Sequence, residues 1–257
     1  MDNTDIKNKV VIITGAGSGI GEHAAAAFVR EGAKVVMNGR SESKLNAVQK
    51  KIDPTGESTR LSAGNICETS VCNELTRLAM DEFGSVDILL NNAGVFEPKS
   101  FLDHSEQDID SYLSLLKAYF VMSQNAVREM VKSESGGSII NIGSMWALHA
   151  IEATPCSGSS TAKGGVHSLT KNLAIELAKQ KIRVNCIAPA VVETPLFDPL
   201  LSPEQLNSFN SFHPIGRNGT PEDVVNTILF LASEKLSGWM TGNVLPLDGG
   251  VTSGRST

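Results

Sequence analysis

The stretch 9–21, KVVIITGAGSGIG, decides how the rest of the chain is read. Residues 9–14 form a short, mostly β-branched run that breaks at Gly15. The alanine-rich segment 23–30 behind Gly21 has helical character, so the stretch reads as strand, glycine turn and helix. Glycines at such a turn let the backbone approach a pyrophosphate, and the N-terminus of the following helix favours an anion. The spacing is G-x3-G-x-G rather than the G-x-G-x-x-G of the dinucleotide fingerprint. A tight turn without a ligand is therefore the plain alternative, and the position directly after the first strand argues against it.

The same alternation continues outward. Further strands are expected at 33–38, 59–63, 86–90, 138–142, 183–188 and 243–247, and helices at 41–51, 68–83, 105–132, 160–179 and 221–233. Strands separated by helices of that length imply right-handed crossovers, which predicts an α/β fold: a doubly wound, Rossmann-type parallel sheet of seven strands with helices on both faces. The pattern fills residues 1–257 with no Pro/Gly/Ser-rich linker, so a single domain is expected. Its least regular part, 191–218, is rich in proline and phenylalanine and follows the sixth strand. In an open α/β sheet ligands sit beyond the carboxyl ends of the strands, so this segment reads as a substrate lid.

Composition bounds the partners. A net charge of −6 repels a phosphate backbone, and no local basic patch offsets it, which argues against nucleic acid. The polar opening residues 1–9 and the lack of a long apolar run predict a cytoplasmic protein without a membrane segment. Cys67, Cys72, Cys156 and Cys186 are scattered, so neither a disulfide nor a metal site is expected. An NAD site usually has an acid at the end of the second strand. Here that place is Asn38-Gly39-Arg40, and a guanidinium there favours NADP(H) over NAD(H), unless Arg40 is only a solvated loop residue.

TGAGSGIG at 14–21, NNAG at 91–94, Ser144, Lys163, the segment 189–194 and TGNVLPLDGG at 241–250 together resemble the short-chain dehydrogenase/reductase family, over residues 9–250 and in the family's order. The resemblance implies that Gly15, Ser18, Gly19, Ile20 and Gly21 line the pyrophosphate. By the same carry-over, Asn65 and Ile66 meet the adenine and Asn92, Ala93 and Gly94 border the ribose. Pro189, Val192 and Thr194 then meet the nicotinamide, its carboxamide held by Val192 and Thr194. It also implies a homodimer or homotetramer and a small carbonyl or alcohol substrate. Asn65 stands where the family more often has aspartate, and Ala190 where it often has glycine.

The family's chemistry uses a serine, a tyrosine four residues before a lysine, and an asparagine on the long preceding helix. Ser144 and Lys163 match, while Ser159 stands at the tyrosine position and Leu115 at the asparagine position. An alkyl hydroxyl is a far weaker acid than a phenol, so Ser159 does not simply inherit the proton transfer. Tyr119, one turn beyond Leu115, and His149 are other possible donors. Each has a plainer reading, as a tyrosine packed on the sheet and a solvent-facing loop histidine. Cys156 reads as buried filler. Three functions remain open: an NADP(H)-dependent oxidoreductase with water or an atypical residue as proton donor, a catalytically impaired cofactor-binding protein, or a Tyr-to-Ser active-site variant of an ordinary reductase. Ser144, Ser159 and Lys163 are the catalytic candidates, and Lys163 is equally a cofactor-binding candidate, kept on that alternative solely to bind the nicotinamide ribose.

Overall fold

Strands covered on both faces should be apolar throughout rather than alternating, and the first strand, VVII, is buried at all four positions. The computed structural model describes residues 4–152, 154–198 and 200–254. The strands are β1 (Val10–Ile13), β2 (Lys34–Gly39), β3 (Thr59–Ala63), β4 (Ile88–Asn91), β5 (Gly137–Ile142), β6 (Ile182–Pro189) and β7 (Val244–Leu247). All neighbours pair in parallel, in the order β3-β2-β1-β4-β5-β6-β7. The helices are α1 (Gly19–Arg30), α2 (Glu42–Ile52), α3 (Thr69–Phe83), α4 (Glu106–Ser133), α5 (Ser157–Glu176), α6 (Pro203–Ser208), α7 (Pro221–Ala232) and α8 (Glu234–Ser237). This is the doubly wound architecture that the sequence predicts.

Each face of the sheet carries its own core. On one, Val11, Ile13, Val35 and Met37 meet Phe28 of α1, Leu45 of α2 and Ile228 of α7. On the other, Ile12, Leu89, Ile139 and Val184 meet Leu75 of α3 and Met122 of α4. Successive strand residues point to opposite faces, so one short apolar run feeds both layers. Strand order reverses between β1 and β4, and the crevice at their carboxyl ends is where the topology leaves room for a ligand.

Several boundaries differ from the sequence reading. α1 starts at Gly19 rather than residue 23, because the glycine turn runs directly into the first helical turn. α5 starts at Ser157 rather than 160 and gives way after Glu176 to a separate 3-10 turn, Ala178–Gln180. Segment 191–218 is less irregular than expected. It holds α6, whose start is fixed by a reciprocal Ser202/Gln205 capping box, and the 3-10 turn Phe209–Phe212. Val192 bridges Gly219 in parallel, tying the segment's two ends together. No helix among the described residues is long and apolar enough to cross a membrane.

Candidate active site

The glycine turn is shaped by contacts behind it as much as by the space in front. Gly15 (φ 70°) has Ala93 Cα only 2.9 Å from where a Cβ would stand. Ser18 sits at the N-cap of α1 with no side-chain hydrogen bond closing the helix end, so the first-turn N–H groups stay open to an anion. Gly21 is a correction to the resemblance: it does not line the cleft. A Cβ there would come within 2.2 Å of the Gly15 carbonyl, so this glycine lets the helix pack onto the turn. The turn is pinned to the end of β4. The Thr14 hydroxyl accepts from Asn92 N (3.0 Å) and Ala93 N (3.1 Å), and Asn92 Nδ2 donates to the Thr14 and Gly15 carbonyls (3.0 and 3.1 Å).

A cleft of about 810 Å³ runs along the carboxyl ends of the strands. It gathers Gly15, Ser18, Gly19 and Ile20 of the turn, Arg40, Asn65 and Ile66, then Asn92, Ala93 and Gly94 after β4. Ser144, Ser159, Lys163, Pro189, Val192 and Thr194 line its other end, so apart from Gly21 every sequence-predicted site residue meets in one cavity. Beside Arg40 the cleft also presents Ser41 and Lys44, which the sequence reading missed. The signal was there: Lys44 lies one helical turn beyond Arg40. Arg40 makes no ion pair or hydrogen bond with another of the described residues. An unpaired guanidinium beside an ammonium, with no carboxylate in that part of the lining, fits a ribose phosphate and would repel nothing about it. The open helix end and the glycine cradle likewise fit a pyrophosphate, so the residues present suit a nicotinamide dinucleotide phosphate.

At the other end, Ser144 caps a 3-10 turn, its Oγ accepting from Trp146 N (3.3 Å), while its own N–H donates to His167 Nε2 (3.4 Å). Burial, then the nearby Lys163 and Lys171, lower the His167 pKa to about 4, so this imidazole is neutral and accepts at Nε2. Gly143 makes the arrangement possible, since a Cβ there would lie 2.4 Å from that nitrogen and 2.6 Å from Cys186 Sγ. Lys163 Nζ donates to the Ile142 carbonyl (2.6 Å) and to the Tyr119 hydroxyl (3.2 Å). Burial lowers its pKa to about 8. Tyr119 is buried, its single O–H shared between the Ala93 and Ile142 carbonyls (3.1 and 3.2 Å), and burial pushes its phenol pKa upward. It lies behind the cleft rather than in its lining.

Ser159 is buried beside Lys163 and opens on the cleft, and its side chain makes no hydrogen bond with another of the described residues. Between it and Leu115, Tyr119 and Lys163 lies a second cavity of about 20 Å³. His149 is exposed and stands outside the cleft lining. Cys156 is buried against Ser160, and burial raises its thiol pKa, as suits filler rather than a nucleophile. Phe96, Trp146 and Phe197, absent from the sequence-predicted set, form an aromatic wall at this end, with Phe96 and Trp146 ring centres 5.9 Å apart.

Comparison with known proteins adds to this geometry. A family model described as enoyl-(acyl carrier protein) reductase matches residues 15–252. The chain is 37% identical over 247 residues to (2S)-[(R)-hydroxy(phenyl)methyl]succinyl-CoA dehydrogenase subunit BbsD of Thauera aromatica, covering 95% of this chain and 97% of that one. It is 33% identical over 247 residues to the 3-oxoacyl-[acyl-carrier-protein] reductase FabG of Thermotoga maritima, with 96% and 98% covered. A crystal structure of a short-chain type dehydrogenase/reductase from Mycobacterium marinum superposes with a TM-score of 0.92 at 31% identity, covering 98% of this chain and 99% of that one. With the fold, the glycine turn and the Ser144–Lys163 end all in place, the chain belongs to the short-chain dehydrogenase/reductase family of oxidoreductases.

Proposed function

We propose that the protein is an NADP(H)-dependent oxidoreductase that interconverts a carbonyl and an alcohol, using a proton donor other than the family's tyrosine. The observation that carries this reading is the single continuous cleft joining the glycine turn and unpaired Arg40 to Ser144 and Lys163. Holding a hydride donor beside an electrophile supplies much of the barrier lowering, and loss of one general acid costs about 10²–10⁴-fold, which slows such an enzyme without silencing it. The cofactor, when bound, supplies the hydride. The turn and α1 hold its pyrophosphate, Arg40 and Lys44 its ribose phosphate, and Ser144 polarises the substrate oxygen. The aromatic wall and Leu115 suit an apolar acyl or aryl group on the substrate. The chain acts as one domain with 191–218 as its lid, and as a homodimer or homotetramer through α4 and α5, whose outer faces expose Phe120 and Ile175.

A second reading, a cofactor-binding protein without turnover, is favoured by one observation: both Ser159 and Leu115 are unable to do what the family's tyrosine and asparagine do there. NADPH consumption over a panel of ketones, 3-oxoacyl thioesters, enones and imines, measured beside Ser159→Tyr, separates the two. Turnover by the native chain is expected. Silence from the native chain together with NADPH binding sinks the enzyme reading, and an active Ser159→Tyr variant would then mark a reductase frame that has lost its acid.

A further inference from the structure

The short side chain at Ser159 leaves Lys163 as the ionisable group beside Ser144 and Ser159 in the cleft lining, to which Asp110 of α4 also contributes. We infer that Lys163 itself delivers the proton to the substrate oxygen, its ammonium aimed by the Ile142 carbonyl and by Tyr119 as a positioning residue. This rests on the oxidoreductase reading above.

The geometry is a matter of counting donors. An ammonium has three N–H groups. Two are engaged, by the Ile142 carbonyl at 2.6 Å and the Tyr119 hydroxyl at 3.2 Å, and both partners lie on the protein side. The third has no protein acceptor among the described residues, and Lys163 lines the cleft together with Ser144 and Ser159. A phenol at position 159, one turn back on α5, would stand between this ammonium and a substrate. Serine leaves that path open. The adjoining cavity of about 20 Å³ is walled mostly by apolar side chains, among them Leu115, Leu116 and Val166, so it offers no competing acceptor.

The surroundings make the amine an acid of useful strength. Tyr119 comes from α4, Cys186 from β6 and His167 from the next turn of α5. The first two are neutral because burial raises their pKa values, and His167 is neutral because burial lowers its own. No carboxylate pairs with Lys163 among the described residues, so burial alone sets the direction, downward from the ordinary lysine value to about 8. In the reduction, the carbonyl carbon accepts hydride from a reduced nicotinamide dinucleotide. The C=O π pair moves to oxygen, and that oxygen takes a proton from Nζ. Lys163 is left as a neutral amine and regains its proton from water at the cleft mouth. Oxidation of the alcohol runs the same transfers backwards.

Lys163→Arg separates proton delivery from cofactor binding, because a guanidinium keeps the charge and the donors but does not deprotonate near working pH. The expected result is a fall in kcat of about 10²–10⁴-fold with NADPH affinity, read by fluorescence titration, changed only a few-fold. In the native chain kcat for reduction should be flat below pH about 8 and fall tenfold per unit above it. NMR titration of the Lys163 ammonium in the cofactor-free protein should give a midpoint near 8, moved lower in Tyr119→Phe, which removes an acceptor from the charged form. Tyr119→Phe should shift the kcat limb in the same direction, which loss of packing alone would not do. Retained kcat in Lys163→Arg, or an ammonium titrating near the ordinary lysine value, overturns the inference and leaves the oxidoreductase reading standing. Silence of the native chain over the whole substrate panel overturns both.

Discussion

At the scale of single residues, the two ends of the cleft differ in how completely their chemistry is written in one position. Arg40 is exposed and unpaired, so its guanidinium has nothing to lose on meeting a phosphate. Arg40→Ala should weaken NADPH binding by about 10–100-fold, the worth of a hydrogen bond to a charged group of about 1.5–3 kcal/mol, and leave NADH binding unchanged. Equal loss for both dinucleotides, by fluorescence titration, would count against the phosphate assignment. In the sequence Arg40 stood out by its place at the end of the second strand, and Ser144 and Lys163 only through the family's motif order. His167 did not stand out at all, and Tyr119 only as a possible donor or a tyrosine packed on the sheet, because their importance lies in what they touch. A histidine that accepts from the Ser144 N–H, and a tyrosine that accepts from an ammonium 44 positions along the chain, leave no local pattern.

At the scale of elements, the sequence speaks most clearly where a period and an end signal coincide. α7 is such a case. Pro221 stands at its start, and the Thr220 hydroxyl accepts from Asp223 N (3.3 Å) while the Asp223 carboxylate accepts from Thr220 N (2.8 Å). Thr220→Ala should cost about 1 kcal/mol and lower Tm by about 2–4 °C, measured by thermal unfolding. A shift below the error of the melt would mean the cap is redundant with the Arg217–Asp223 pair. α6 carries the same signature, Ser202 with Gln205, yet six residues are too few for a helical period, so its segment read as irregular. α1 and α5 begin earlier than their apolar patterns because glycine and serine open both helices without adding to a hydrophobic face.

At the scale of the whole molecule, burying titratable groups behind the site makes stability depend on pH. The His167 pKa falls below its unfolded value, so between about 6.5 and 4 the unfolded chain binds a proton that the folded chain refuses. Stability should therefore be lost as pH drops through that window, at up to about 1.4 kcal/mol per unit, and His167→Gln should flatten the loss in denaturant melts at pH 4–6.5. His213, lowered by its own burial, contributes in the same sense, so some slope should remain. An unchanged slope in His167→Gln would show that the imidazole is reached by water. Seven parallel strands with helices on both faces were legible from alternation, since each strand–helix–strand unit has one permitted hand, but their order, β3-β2-β1-β4-β5-β6-β7, was not. What the chain could not announce is that one residue serves both halves of the cleft. Ala93 gives its N–H to the Thr14 clasp on the glycine turn and its carbonyl to Tyr119, which holds Lys163. On the proposed function, this shared residue predicts that occupancy at the adenosine end and acidity at the reacting end are linked. A fragment such as 2′,5′-ADP, too short to reach the substrate, should shift the Lys163 ammonium resonance on binding, and the protonation state of that lysine should in turn tune the fragment's affinity.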